Sequence, residues 1–201
     1  MENKFLTFIA PYLSFIDKGH MFRKPFSWLY ALIAIINLLL PLLYIIYQLI
    51  DHRIFDAEFK ITITILLAWA IIAFAGWVSF QLWWDRKTKI TFSSDDNAEF
   101  VATPVFSHLI QTLGEWIGTW IGLAGFGFAL LTTIILGEEG RYLTYNFGIP
   151  IVGKYLGSGW TNVILMPVYG FLIIMLTRFL AEQIKALSAI ANNTKQRQTS
   201  P

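Results

Sequence analysis

Four stretches of the chain are each long enough and apolar enough to cross a lipid bilayer. They cover residues 27–50, 61–84, 114–136 and 161–182. A spanning helix needs about 20 predominantly apolar residues, and it satisfies its own backbone polar groups in lipid. The composition agrees, because 56% of the residues are hydrophobic and only 14% are charged, against about 25% charged in soluble domains. The sequence therefore predicts an all-α integral membrane protein, with four transmembrane helices in a bundle over residues 27–187.

The two ends of the chain differ from this apolar domain. Residues 1–20 have a helical period, with one half of the helical wheel occupied by Phe5, Phe8, Ile9, Tyr12, Leu13 and Ile16. This pattern predicts an N-terminal amphipathic helix that lies in the membrane interface. The alternative is an ordinary helix packed on the cytoplasmic end of the bundle. Residues 192–201 are polar and lack apolar anchors, which predicts a disordered cytoplasmic tail.

The basic residues predict the orientation in the membrane. Eleven of the fifteen Lys and Arg residues fall on one side of the four spans, namely Lys4, Lys18, Arg23, Lys24, Arg86, Lys87, Lys89, Arg178, Lys185, Lys195 and Arg197. The other side has Arg53, Lys60, Arg141 and Lys154. Short cytoplasmic loops carry the excess of Lys and Arg. Both termini are therefore expected in the cytoplasm, and the protein is expected in the inner (plasma) membrane as a multi-pass protein.

The third apolar stretch is unusually rich in glycine for a helix, although glycine costs about 1 kcal/mol relative to alanine in a helix interior. At 100° per residue, eight small or polar residues share a stripe about 80° wide. They are Ser107, Gln111, Gly114, Gly118, Gly122, Gly125, Ala129 and Thr132. The regular spacing also predicts one continuous helix from about residue 105 to 136.

Small residues at every fourth position let two helix backbones approach closely in lipid. We therefore interpret this stripe as a helix-packing seam, and the opposite face with Trp116 and Trp120 as lipid-facing. A ligand or ion path along the stripe is the alternative. The sequence leaves open whether the seam closes within one chain or between two copies. A fainter set of small residues in the second span, Thr64, Ala68, Ala75 and Ser79, is a candidate for the facing surface.

Polar side chains are sparse within the spans, and five are candidate functional residues. Asn37 and Gln48 lie on one face of the first span with Pro41; an amide deep in hydrocarbon needs a protein partner. Either an interhelical hydrogen bond or a polar lining for a small permeant would supply one. Glu115, Arg178 and Glu182 lie near the predicted cytoplasmic surface, where they are possible contacts for lipid headgroups or for one another.

Several classes of function are disfavoured by the sequence. The chain has no cysteine, and its three histidines lie outside the middle of the spans, so no metal site, haem or other cofactor is expected. We find no catalytic set, and no nucleic-acid partner is expected. The leading hypothesis is a non-catalytic structural or accessory subunit of a membrane assembly, which forms a homo-oligomer through the stripe from Gly114 to Thr132 or binds a partner membrane subunit. The alternatives are an oligomeric small-solute or ion channel or transporter, and an enzyme acting on lipid through Glu115, His108 and Arg178.

Overall fold

The computed structural model describes residues 20–51, 58–90, 102–137 and 159–199, and it is helical over nearly all of them. Helix α1 covers His20–Asp51, and helix α2 covers Phe59–Ile90. Helix α3 begins at Ala102 and ends at Leu136, and helix α4 covers Trp160–Thr199. No strand occurs in the described residues. The predicted interfacial helix, residues 1–20, lies outside them apart from His20.

Each of the four helices contains a segment that is long and apolar enough to span a membrane. The segments are Lys24–Ile50, Phe59–Ile90, Thr103–Leu136 and Trp160–Thr194. They include the four stretches predicted from the sequence, and the helices extend beyond the apolar part at several ends. Large apolar side chains cover the outside of the helices, as expected for a surface that meets lipid rather than water.

Helix α4 extends into the C-terminal segment for which the sequence predicts disorder. The sequence predicts disorder over residues 192–201, but the structure continues α4 without a break to Thr199. Once a long helix exists, each added residue gains a backbone hydrogen bond without a new nucleation cost. The polar composition of this segment removes its apolar anchors but does not prevent such an extension.

The helices pack mainly as two pairs, α1 with α2 and α3 with α4, and the pairs meet chiefly between α2 and α3. Between α1 and α2 the closest approach is at Gly76, where an added Cβ would lie 2.6 Å from the carbonyl oxygen of Asn37. Because Pro41 has no N–H, it cannot donate to this carbonyl within α1. The proline therefore leaves a polar backbone group that the glycine of α2 covers.

Helix α3 is not a uniform α-helix. It is α-helical over Ala102–Thr119, π-helical over Trp120–Gly125, α-helical over Phe126–Leu131 and π-helical over Thr132–Leu136. A π turn places an extra residue in the helix and so changes which residues share a face beyond it. Gly127, which follows the first π segment, lies against Ile71 of α2, whereas the glycines before it lie against α4.

Candidate functional site

The glycine stripe of α3 lies against α4 of the same chain. A Cβ added at Gly114 would collide with the side chain of Thr177, and one added at Gly118 would lie 2.5 Å from the carbonyl oxygen of Gly170. Gly122 faces the same residue, with 3.9 Å between an added Cβ and the Cα of Gly170. The structure thus places these stripe glycines in an intrachain contact, a question that the sequence leaves open.

Most of the remaining stripe residues also lie in the contact between α3 and α4. A Cβ added at Gly125 would lie 3.0 Å from Sδ of Met166 in α4. The hydroxyl of Ser107 donates to the backbone carbonyl of Ala181 at 2.6 Å. Ala129 is buried. Thr132 instead donates to carbonyls of its own helix.

The face of α3 opposite the stripe does not point only to lipid, so the expectation for Trp116 and Trp120 is wrong. Both indole N–H groups donate to Oδ1 of Asn37 in α1, at 3.0 and 3.1 Å. The amide nitrogen of Asn37 donates to the carbonyl of Ile33 at 2.8 Å. An indole N–H without a partner is costly in an apolar medium, and the buried amide supplies one acceptor for two indoles.

The small residues of α2 also face a different neighbour from the one hypothesised. Ala68, Ala75 and Ser79 are buried, but the glycine stripe of α3 is occupied by α4. Gly76, next to Ala75 on α2, lies against Asn37 and Pro41 of α1, and α1 is the main neighbour of α2. The two small-residue surfaces therefore serve two separate helix pairs.

Glu115 lies in a chain of polar contacts that joins three helices. Arg86 of α2 donates from Nε to one carboxylate oxygen at 2.9 Å and from Nη2 to the other at 3.1 Å. Gln111, one turn earlier on α3, donates to Oε1 of Glu115 at 2.9 Å. Nζ of Lys185 in α4 donates to Oε1 of Gln111 at 3.2 Å. The carboxylate is nearly buried and its ion pair with Arg86 is bidentate, a geometry that gives strong charge-assisted hydrogen bonds.

A second polar contact ties α1 to α3 at the same end of the molecule. The hydroxyl of Tyr30 lies 3.1 Å from Nδ1 of His108 and donates to Oγ1 of Thr112 at 3.3 Å. The Tyr30 ring also packs edge-on against Trp83, with 4.8 Å between ring centroids, and Trp83 packs against Trp116. These side chains fill the interior between α1, α2 and α3. We call Tyr30, Arg86, His108, Gln111, Thr112, Glu115 and Lys185 the polar cluster.

The other predicted candidates lie outside the polar cluster. Arg178 and Glu182 are exposed on α4, with 3.8 Å between Nε of Arg178 and Oε1 of Glu182. Gln48 is buried towards the other end of α1 and forms a hydrogen bond with Tyr44. The arrangement therefore does not gather Glu115, His108 and Arg178 into one site, because Glu115 is buried against Arg86 and Arg178 pairs with Glu182.

Sequence reasoning missed Arg86 as the partner of Glu115. It counted Arg86 only as one of the positive charges that set the orientation. A usable signal was present, because Arg86 lies seven residues after Ser79 and so shares the small-residue face of α2. A charge on that face has to be directed at a neighbouring helix. Lys185 and Thr112 carry no comparable signal in the sequence.

Two buried polar atoms near the polar cluster have no hydrogen-bond partner among the described residues. They are Oγ of Ser79 and Nε1 of Trp83, which are one turn apart on α2. The described residues also contain no group of three or more His, Asp or Glu side chains placed to hold a metal ion.

The described residues thus contain four helices that are long and apolar enough to span a membrane, which is the arrangement of a multi-pass membrane protein. The chain matches no protein-family model, no curated protein and no solved structure. The assignment of a role therefore depends on the contacts described above.

Proposed function

We propose that the protein is a non-catalytic structural or accessory subunit of a membrane assembly, located in the inner (plasma) membrane with both termini in the cytoplasm. The observation that carries this proposal is that α3 forms polar contacts with each of the other three helices. Its buried polar side chains bond to α1 through Tyr30, to α2 through Arg86 and to α4 through Lys185. Polar groups that are committed to holding helices together favour a structural role over a chemical one.

The state of Glu115 supports the same proposal. This carboxylate accepts three hydrogen bonds from protein donors, two from Arg86 and one from Gln111. A general base must be within reach of a substrate proton, whereas the oxygens of Glu115 are already occupied by the chain itself. His108 is likewise buried against Tyr30 and Thr112.

This geometry gives little support to the alternative of an oligomeric channel or transporter. Its predicted lining residues were Asn37, Gln48 and the glycine stripe. Asn37 is engaged by two indoles and one backbone carbonyl, and the stripe glycines lie against α4. Because α4 covers the stripe, association with a second copy or a partner subunit has to use another surface.

The proposal is tested by two measurements on the intact protein. Cross-linking in native membranes, followed by purification in mild detergent, is expected to give a complex of defined stoichiometry that is larger than the 23.0 kDa chain. Liposomes containing the purified protein are expected to release ions and small solutes no faster than protein-free liposomes. A 23.0 kDa species as the sole product, together with saturable solute flux, would overturn the structural proposal in favour of the transporter.

A further inference from the structure

Among the residues that the structure describes, more cationic side chains than carboxylates lie around the polar cluster. Arg86, Lys89 and Lys185 all lie close enough to His108 to interact with it electrostatically. The carboxylates of the same region are Glu115, which binds Arg86, and Asp85, whose Oδ2 lies 2.7 Å from Nζ of Lys89. Within the described residues, these three cations against two carboxylates leave one positive charge in excess.

Lys185 carries this excess charge. Within the described part of the chain its hydrogen-bond partner is the neutral amide of Gln111, at 3.2 Å, and no carboxylate there lies within 4.0 Å of its Nζ. An ammonium group has three N–H donors, so Lys185 can donate to a further acceptor. The side chain is exposed beside α3, and a ligand can therefore reach it from outside the helices.

The position of Lys185 selects the kind of ligand. It lies on α4 between exposed apolar residues, with Phe179 and Leu180 before it and Leu187 after it. On α2, Lys87 lies 4.4 Å above the ring of Trp84, which is also exposed. Trp and Lys side chains with this exposure are typical of the boundary between hydrocarbon and headgroups. A phosphate that approaches Lys185 at this level can therefore belong to a lipid, whose acyl chains lie at the depth of these exposed apolar residues.

We propose that Lys185, which is joined to Arg86 through Gln111 and Glu115, binds the phosphate of an anionic phospholipid at the predicted cytoplasmic surface. Basic side chains between transmembrane helices are suited to such headgroups. The Glu115–Arg86 ion pair holds one guanidinium in place, and the unpaired ammonium of Lys185 supplies the attraction. This site differs from the headgroup contact predicted from the sequence, because Glu115 is turned inward and Arg178 faces Glu182.

The test measures thermal unfolding of the detergent-solubilised protein against increasing phosphatidylglycerol, with phosphatidylcholine as the neutral lipid. Phosphatidylglycerol is expected to raise the melting temperature at lower concentrations than phosphatidylcholine does. Lys185→Gln keeps a hydrogen-bonding side chain beside Gln111 but removes the charge, and it is expected to need about fivefold more phosphatidylglycerol for the same shift. Lys185→Arg retains the charge and is expected to behave as the wild type.

Lys87→Gln is the matched control, because it removes one charge from the same end of the molecule but from the Trp84 face of α2. It is expected to leave the preference for phosphatidylglycerol unchanged. Equal titrations for Lys185→Gln and the wild type would overturn the proposal, as would an equal loss in Lys87→Gln. A rise in melting temperature with inorganic phosphate, absent with chloride at the same ionic strength, would assign the site to a free anion and overturn the lipid assignment.

Discussion

The contact between α3 and α4 predicts that alanine destabilises the protein at one stripe glycine and is tolerated at another four residues away. In Gly118→Ala the new Cβ would lie 2.5 Å from the carbonyl oxygen of Gly170 and 2.5 Å from Cγ1 of Ile174. The carbonyl belongs to a helix backbone and cannot turn aside, so the two helices have to separate. Overpacking of this kind costs up to about 3 kcal/mol. Alanine recovers about 1 kcal/mol in helix propensity, which leaves a net loss of roughly 2 kcal/mol in the free energy of unfolding.

Gly122→Ala is the matched control for this prediction. Its new Cβ would lie 3.9 Å from the Cα of Gly170, which is an ordinary van der Waals distance. The expected free energy of unfolding is equal to that of the wild type or slightly higher. Both variants are unfolded with a denaturing detergent in mixed micelles, and tryptophan fluorescence reports the transition. A Gly118→Ala protein as stable as Gly122→Ala would refute the packing described for α3 and α4.

Three further predictions use other contacts. Asn37→Leu leaves two indole N–H groups without an acceptor and is expected to lower the free energy of unfolding by about 1–3 kcal/mol; unchanged unfolding would show that these hydrogen bonds contribute nothing. Glu115→Gln removes the bidentate partner of the partly buried Arg86 and leaves it Asp85 at 3.8 Å; the expected cost is about 1.5–3 kcal/mol, and replacing both Arg86 and Glu115 with Gln should cost less than the sum of the single changes. Because the chain has no native cysteine, Lys60→Cys and Lys87→Cys can be labelled singly on intact cells; a membrane-impermeant maleimide is expected to reach position 60 only, and labelling of position 87 alone would reverse the predicted orientation.

The apolar spans could be predicted because their cause is local. About 20 consecutive apolar residues are visible in the sequence, and the bilayer imposes a helix on them. The small-residue stripe was visible for the same reason, since a period of 3.6 residues places its members on one face. Neither signal identifies the helix that packs against that face. Whether Gly118 meets Gly170 or a residue of a second copy depends on tertiary packing.

The polar cluster was harder to predict, because its partners are far apart in the sequence. Glu115 was visible as an unusual carboxylate, but its partner Arg86 has the same appearance as any basic residue at the end of a span. The expectation that Trp116 faces lipid followed from its size and from its position opposite the stripe. It failed because Asn37 lies opposite this face in α1 and accepts the indole N–H. The two π segments of α3 could not be predicted either, because an α-helical period assumes a uniform helix.

The intrachain position of the stripe is tested most directly by a cross-link between Gly125 and Met166. A Cβ at position 125 would lie 3.4 Å from the Cβ of Met166, close to the separation of about 3.5–4.5 Å found in disulfides. The double variant Gly125→Cys, Met166→Cys, oxidised in membranes, is expected to form a disulfide within single chains. A mixture of the two single variants is expected to give no disulfide-linked dimer. Efficient dimer formation in that mixture would contradict the account and place the stripe between two copies of the protein.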